Sequence, residues 1–261
     1  MARAQRHYIP GHIWHITHRC HRKEKLLRFS RDRHRYLHWL YEARKRYGLT
    51  LLNYTITCNH VHLLVVDDGD RDVIPNSMQL VAGRTGQEYN QRKDRTGAYW
   101  EDRYHATAVE SGEHLVRCLV YIDTNMVRAG VVRHPSAWPC CGYNEIQERR
   151  RKNVLINYER LQELSGVGSY EQLRSSHREW VEQYLRAGIG YREEQWTSSI
   201  AVGSKSFVES VRSQLGFRAN GRRTVEFGDG YQLREKAVHY KALFQAEKGD
   251  IGPKNTYSWS L

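Results

Sequence analysis

Leu51-Leu52-Asn53-Tyr54-Thr55-Ile56-Thr57-Cys58-Asn59-His60-Val61-His62-Leu63-Leu64-Val65-Val66 is the stretch from which the fold can be read. It is dominated by β-branched and aliphatic residues, contains neither Gly nor Pro, and has one polar step, Cys58-Asn59, able to turn one strand into the next. The pattern predicts a buried hairpin. Side chains of a strand alternate between its faces, so His60 and His62 share a face while Val61 turns into the core behind them. Two imidazoles are thereby aimed at one point, as a divalent metal requires. On a largely apolar strand they are costly to desolvate unless a metal or a phosphate pairs them. The chain holds 14 histidines, so a His-x-His triplet can also arise by chance.

Outward from the hairpin, Pro10-Gly11 turns into a first strand in which His12, Trp14 and Ile16 alternate with Ile13, His15 and Thr17. Arg19, His21, Arg22 and Lys23 follow it in a basic loop that suits a nucleic-acid backbone or plain solvation. Ser30 is placed to cap a helix running to Tyr47 and ending at Gly48, with Tyr36, Leu37, Leu40 and Tyr41 as its apolar stripe. A second helix is expected over about 76–92 and a strand over 105–109. A third helix, over about 112–129, buries Leu115, Leu119, Ile122 and Met126 and shows His114, Arg117, Tyr121, Asn125 and Arg128 on a neighbouring face. Strand, helix, strand, strand, helix, strand, helix is the order of a ferredoxin-like α+β sheet. In it the last helix can cross the strand carrying the two histidines.

The 261 residues include 41 Lys and Arg against 29 Asp and Glu, a net charge of +12 that points to a polyanionic partner. Trp100, Arg103 and Tyr104 interleave aromatic and cationic groups, a composition that fits stacking on unpaired bases or ordinary packing. The five cysteines form no C-x-x-C pair, which argues against a disulfide framework or a zinc ribbon and fits a reducing, cytoplasmic setting. No apolar run is long enough for a membrane span and no signal segment is evident, so no membrane partner is expected. A histidine-triad hydrolase would need a third His where Leu64 stands.

Asn59-His60-Val61-His62-Leu63-Leu64, with Pro10-Gly11 and His15-Ile16-Thr17-His18-Arg19 before it and Tyr121-Ile122-Asp123-Thr124-Asn125-Met126-Val127-Arg128-Ala129-Gly130 after it, resembles the single-tyrosine HUH transposases. The branch it is most similar to is the REP-associated tyrosine transposases, and Gly97-Ala98-Tyr99-Trp100-Glu101-Asp102-Arg103-Tyr104 supports that likeness. The resemblance implies His60, His62 and Asn125 as ligands of a divalent metal, Mg2+ or Mn2+, and Tyr121 as nucleophile. The implied reaction cleaves and rejoins single-stranded DNA beside a REP-like palindromic hairpin through a 5′-phosphotyrosine. Arg19, Arg22, Lys23, Trp100, Arg103, Tyr104, Arg117 and Arg128 are the candidate DNA contacts. Met126 and Cys58 stand where the family commonly has Pro, and Cys140-Cys141 where it commonly has Ser-Ser. The related enzymes act as monomers or exchange the catalytic helix between protomers; for this chain a monomer is favoured over a homodimer. The competing functions are a hairpin-binding protein without cleavage and an HUH replication initiator or relaxase.

The expected organisation is an HUH domain at 1–145, a helical C-terminal domain at 146–220 and a flexible basic tail at 221–261. The appendage reads as helices over Leu155 to Leu164, Tyr170 to Ala187 and Ser206 to Leu215. When bound to DNA the protein would sit with the nucleoid.

Overall fold

The hairpin forms as its composition requires. In a computed structural model that describes residues 9–188 and 193–235, β2 (Thr50–Ile56) turns at residues 57–59 into β3 (His60–Val66), with β1 (Ile13–Arg19) on the other side of β3. α1 (Ser30–Tyr47) joins β1 to β2, and α2 (Val73–Arg92) leads towards β4 (His105–Val109), which pairs with β1. The strands β2-β3-β1-β4 are antiparallel throughout, and the fold is α+β with the ferredoxin-like order. Gly48 closes α1 at φ 72°, the left-handed conformation that favours glycine. The cap expected of Ser30 is instead the backbone of Phe29, because the Ser30 hydroxyl meets His34 Nδ1 one turn on.

The predicted third helix is two pieces, α3 (Glu113–Asp123) and α4 (Asn125–Arg128), parted at Thr124. The break has a local cause. The Thr124 hydroxyl donates to the Val120 carbonyl (2.7 Å) beside the Thr124 N–H, and Arg128 donates to both the Thr124 hydroxyl (2.6 Å) and the Tyr121 carbonyl (2.8 Å), so that side chains engage the carbonyls at the break. α5 (Gly142–Gln147), α6 (Tyr158–Ser165) and α7 (Tyr170–Arg186) follow and pack along β2 and α3. Gly142 is needed there, since a Cβ would fall 2.0 Å from Asn53 Oδ1.

The C-terminal third is not only helical. After α8 (Gln195–Ser198), β5 (Ala201–Gly203) pairs parallel to β4. Beyond α9 (Lys205–Leu215), β6 (Arg222–Phe227) and β7 (Gly230–Glu235) form a hairpin whose β7 pairs with β5, giving one seven-stranded sheet. Residues 222–235, expected as part of a flexible tail, are therefore sheet. Alternation in Arg222-Arg223-Thr224-Val225-Glu226-Phe227 was masked by its charge. The rest of the expected tail, with Gly249 and Gly252, lies outside the described residues. Among those described, no helix is long and apolar enough to cross a membrane.

Candidate active site

Register decides which side chains meet. Thr17 lies opposite both His62 and His105, His15 opposite Leu64 and Thr107, and Thr55 opposite His62. One sheet face thus carries His15, Thr17, Thr55, His60, His62, His105 and Thr107. α3 crosses this face: Asn53 Nδ2 donates to Asp123 Oδ1 (3.0 Å) and Thr55 to the Ile122 carbonyl (3.0 Å). Val61 and Leu63 turn to the other face and are fully buried.

Where β3, α3 and α4 meet, a cavity of about 920 Å³ is lined by His60, His62, Tyr121 and Asn125 together with Arg19, Arg103 and Arg128. The His60 and His62 rings are 4.9 Å apart, and the Tyr121 ring stands edge-on to His62 at 5.8 Å. Asn125 Nδ2 is 3.0 Å from His62 Nε2. The break at Thr124 leaves Tyr121 and Asn125 both on the cavity. Arg128 stacks its guanidinium 4.0 Å over the Tyr121 ring, while Trp196 of α8 packs on the ring at 6.2 Å.

Each histidine has a partner at Nδ1. His60 Nδ1 is 2.7 Å from Asn59 Oδ1, and the Asn59 amide donates to the Lys23 carbonyl (3.1 Å), which turns its oxygen toward the ring. His62 Nδ1 is 2.9 Å from His15 Nε2, and His15 Nδ1 is 2.8 Å from the Trp196 carbonyl. Burial lowers the His15 pKa to about 3, which keeps this imidazole neutral.

The eight candidate DNA contacts separate. Arg19, Arg103 and Arg128 line the cavity. Arg22 and Lys23 are exposed on the loop after β1, at φ 51° and 60°. Trp100 is held in packing: it stacks on His18 at 4.0 Å and donates its indole N–H to the Ala82 carbonyl of α2. Tyr104 is buried too. Arg117 lies away from the cavity lining, paired with Glu113 (2.5 Å) and Asp229 (2.6 Å). His15, His105 and Trp196 also reach the site, though none is among the residues expected there from the sequence. Strand parity with Thr17 was the available signal for His15, whereas Trp196 arrives from 134 residues beyond His62, which no local pattern reveals.

Among the described residues no group of three or more His, Cys, Asp or Glu could hold a metal, so a site here needs the Asn125 amide as a donor. The spacing suits that. Neighbouring ligands bonded at about 2.1 Å to a six-coordinate ion lie about 3 Å apart, the separation seen between Asn125 and His62 Nε2. The Asn125 amide can present its oxygen by a half-turn.

Residues 9–125 match the family model for IS200-like transposases. A solved structure of a REP-associated tyrosine transposase bound to a REP hairpin is similar at 18% identity and TM-score 0.49, over 57% of this chain and 87% of that one. A crystal structure from Deinococcus radiodurans R1, described as a candidate transposase, is similar at 17% identity and TM-score 0.33, over 45% of this chain and 92% of that one. No curated protein matches the sequence.

Proposed function

We propose that the protein is a single-strand DNA transesterase of the REP-associated kind, acting beside a palindromic hairpin. The observation that supports this is the meeting of His60, His62, Asn125 and Tyr121 in one cavity of a single chain, lined also by Arg19, Arg103 and Arg128 and by Glu101 and Asp102. In the proposed step the Tyr121 oxygen attacks a backbone phosphorus and the bond from phosphorus to the 3′ oxygen breaks. Tyrosine becomes joined to the 5′ phosphate, the phenol proton is lost, and the 3′ oxygen leaves as a hydroxyl. The stored ester bond lets a second 3′ hydroxyl reverse the step without ATP.

His60, His62 and Asn125 would hold Mg2+ or Mn2+, which supplies positive charge at the scissile phosphate. Two imidazole donors favour Mn2+ in affinity. Arg19, Arg103 and Arg128 carry fixed charge to the same cavity and suit phosphate oxygens. The Arg128 contacts at Tyr121 hold the phenol ring against the sheet. The helices of 146–220 are the proposed support for the hairpin, and the complete site in one chain is the basis for proposing a monomer.

The test is a denaturing gel of protein incubated with a hairpin oligonucleotide and Mn2+. The wild type should give a covalent adduct, and Tyr121→Phe should bind the oligonucleotide and give none. An equal adduct from Tyr121→Phe removes Tyr121 from the reaction. Binding without any wild-type adduct leaves a hairpin-binding protein.

A further inference from the structure

We infer that His15 is a positioning residue for His62, anchored by the Trp196 main-chain carbonyl and setting which His62 nitrogen faces the cavity. The inference rests on the metal reading above and adds a residue and a chain segment to it.

Hydrogen placement follows from the acceptors. A carbonyl oxygen only accepts, so His15 Nδ1, 2.8 Å from the Trp196 carbonyl, carries the hydrogen. His62 Nε2 faces Asn125 across the cavity wall, and to serve as a ligand it must present a lone pair. The His62 hydrogen then sits on Nδ1, and His15 Nε2, 2.9 Å away, accepts it. The two rings lie nearly parallel, 12° apart with centroids at 5.1 Å, and both are buried, so neither has room to turn.

His60 is oriented by the same device built from different parts. Its Nδ1 faces Asn59 Oδ1, and the Asn59 amide is fixed by the Lys23 carbonyl. Each imidazole of the pair is thus tied at Nδ1 to an acceptor that a main-chain carbonyl orients in turn. The difference is origin. Lys23 lies in the loop after β1, whereas Trp196 belongs to α8, so the C-terminal third reaches His62 through a carbonyl and His15, besides the packing of the Trp196 ring on Tyr121. The Thr107 hydroxyl, with its oxygen 2.6 Å from the Ser199 carbonyl, steadies the same turn against β4. A histidine buried only for packing would not need both nitrogens engaged in this order.

The experiment compares the full-length wild type, His15→Phe, His15→Gln and His62→Ala by Mn2+ titration, reading unbound ion by electron paramagnetic resonance. His15→Phe keeps the ring shape without an acceptor and should bind Mn2+ roughly 10- to 100-fold more weakly. His15→Gln, whose amide oxygen can accept from His62 Nδ1, should recover most of the affinity, a rescue that packing alone does not explain. Ring-nitrogen NMR of the metal-free wild type should place the hydrogen on Nδ1 of both His15 and His62. Unchanged affinity in folded His15→Phe, or a His62 hydrogen on Nε2, overturns the inference. If His15→Phe does not fold, the wild-type NMR result decides. Full Mn2+ affinity in His62→Ala would instead overturn the metal reading itself.

Discussion

The central sheet has two faces made to different rules. On one, Trp14, Ile16, Val61, Leu63 and Val65 enter an apolar core shared with Tyr36, Leu40, Met78 and Val81 of α1 and α2, and burial alone stabilises them. On the other, His15, Thr55, His62 and Thr107 are equally buried but polar, and each is stabilised only while a particular atom stands opposite it. The network runs on under α3. Asp123 accepts from Asn53 and Cys141 at one oxygen and from His177 of α7 (2.7 Å) at the other, and His177 Nδ1 in turn meets Gln147. The apolar face tolerates imprecision and sets stability; the polar face fixes orientation and presents the site.

The sharpest way to break that division is Tyr121→Phe. It removes one hydroxyl, so the denaturation midpoint should stay within a degree or two while adduct formation falls by about 10³-fold or more. A large loss of stability would show that the phenol belongs to the core. Leu63→Ala acts on the opposite face and should cost about 2–5 kcal/mol in urea unfolding through the cavity it leaves. The adduct rate per folded molecule should hold, and a fall in it would mean that the two faces are coupled.

His177→Ala cuts the network without touching the cavity. Taking the His177 donor from Asp123 Oδ2 should cost about 2 kcal/mol and, because Asp123 lies on the helix of Tyr121, also slow adduct formation several-fold. Intact kinetics would show that the network serves stability alone. The smallest effect is expected at Arg117, whose partners Glu113 and Asp229 are well exposed. Arg117→Ala should change stability by no more than about 0.5 kcal/mol and weaken oligonucleotide binding less than Arg128→Ala does, as measured by fluorescence anisotropy.

The same division explains what could be read from the sequence. Leu51 to Val66 announces a hairpin because its periodicity and β-branching are local properties, and the stripes of α1 and α3 are equally local. His60 and His62 could be paired because two residues along one strand share a face. His15 needed the β1–β3 register, in which it stands diagonally beside His62, and a register is set by tertiary packing. The hydrogen bond from His15 goes to the Trp196 main-chain carbonyl, so the identity of the Trp196 side chain does not announce it. Trp100 has the composition of a base-stacking residue, yet its indole N–H is spent on α2 and its ring on His18. The departures Cys140-Cys141 turn out mild for a similar reason: the Cys141 thiol meets Asp123 and Thr55 much as a hydroxyl would, and the Cys140 carbonyl accepts from Ile56.

Peptide mapping of the adduct tests most directly that the polar face and the α3 phenol act together on a DNA phosphate. After reaction with a hairpin oligonucleotide and Mn2+, trypsin should release Cys118–Arg128 carrying a nucleotide through its 5′ phosphate on Tyr121. A nucleotide carried on another residue, or through its 3′ phosphate, would contradict it.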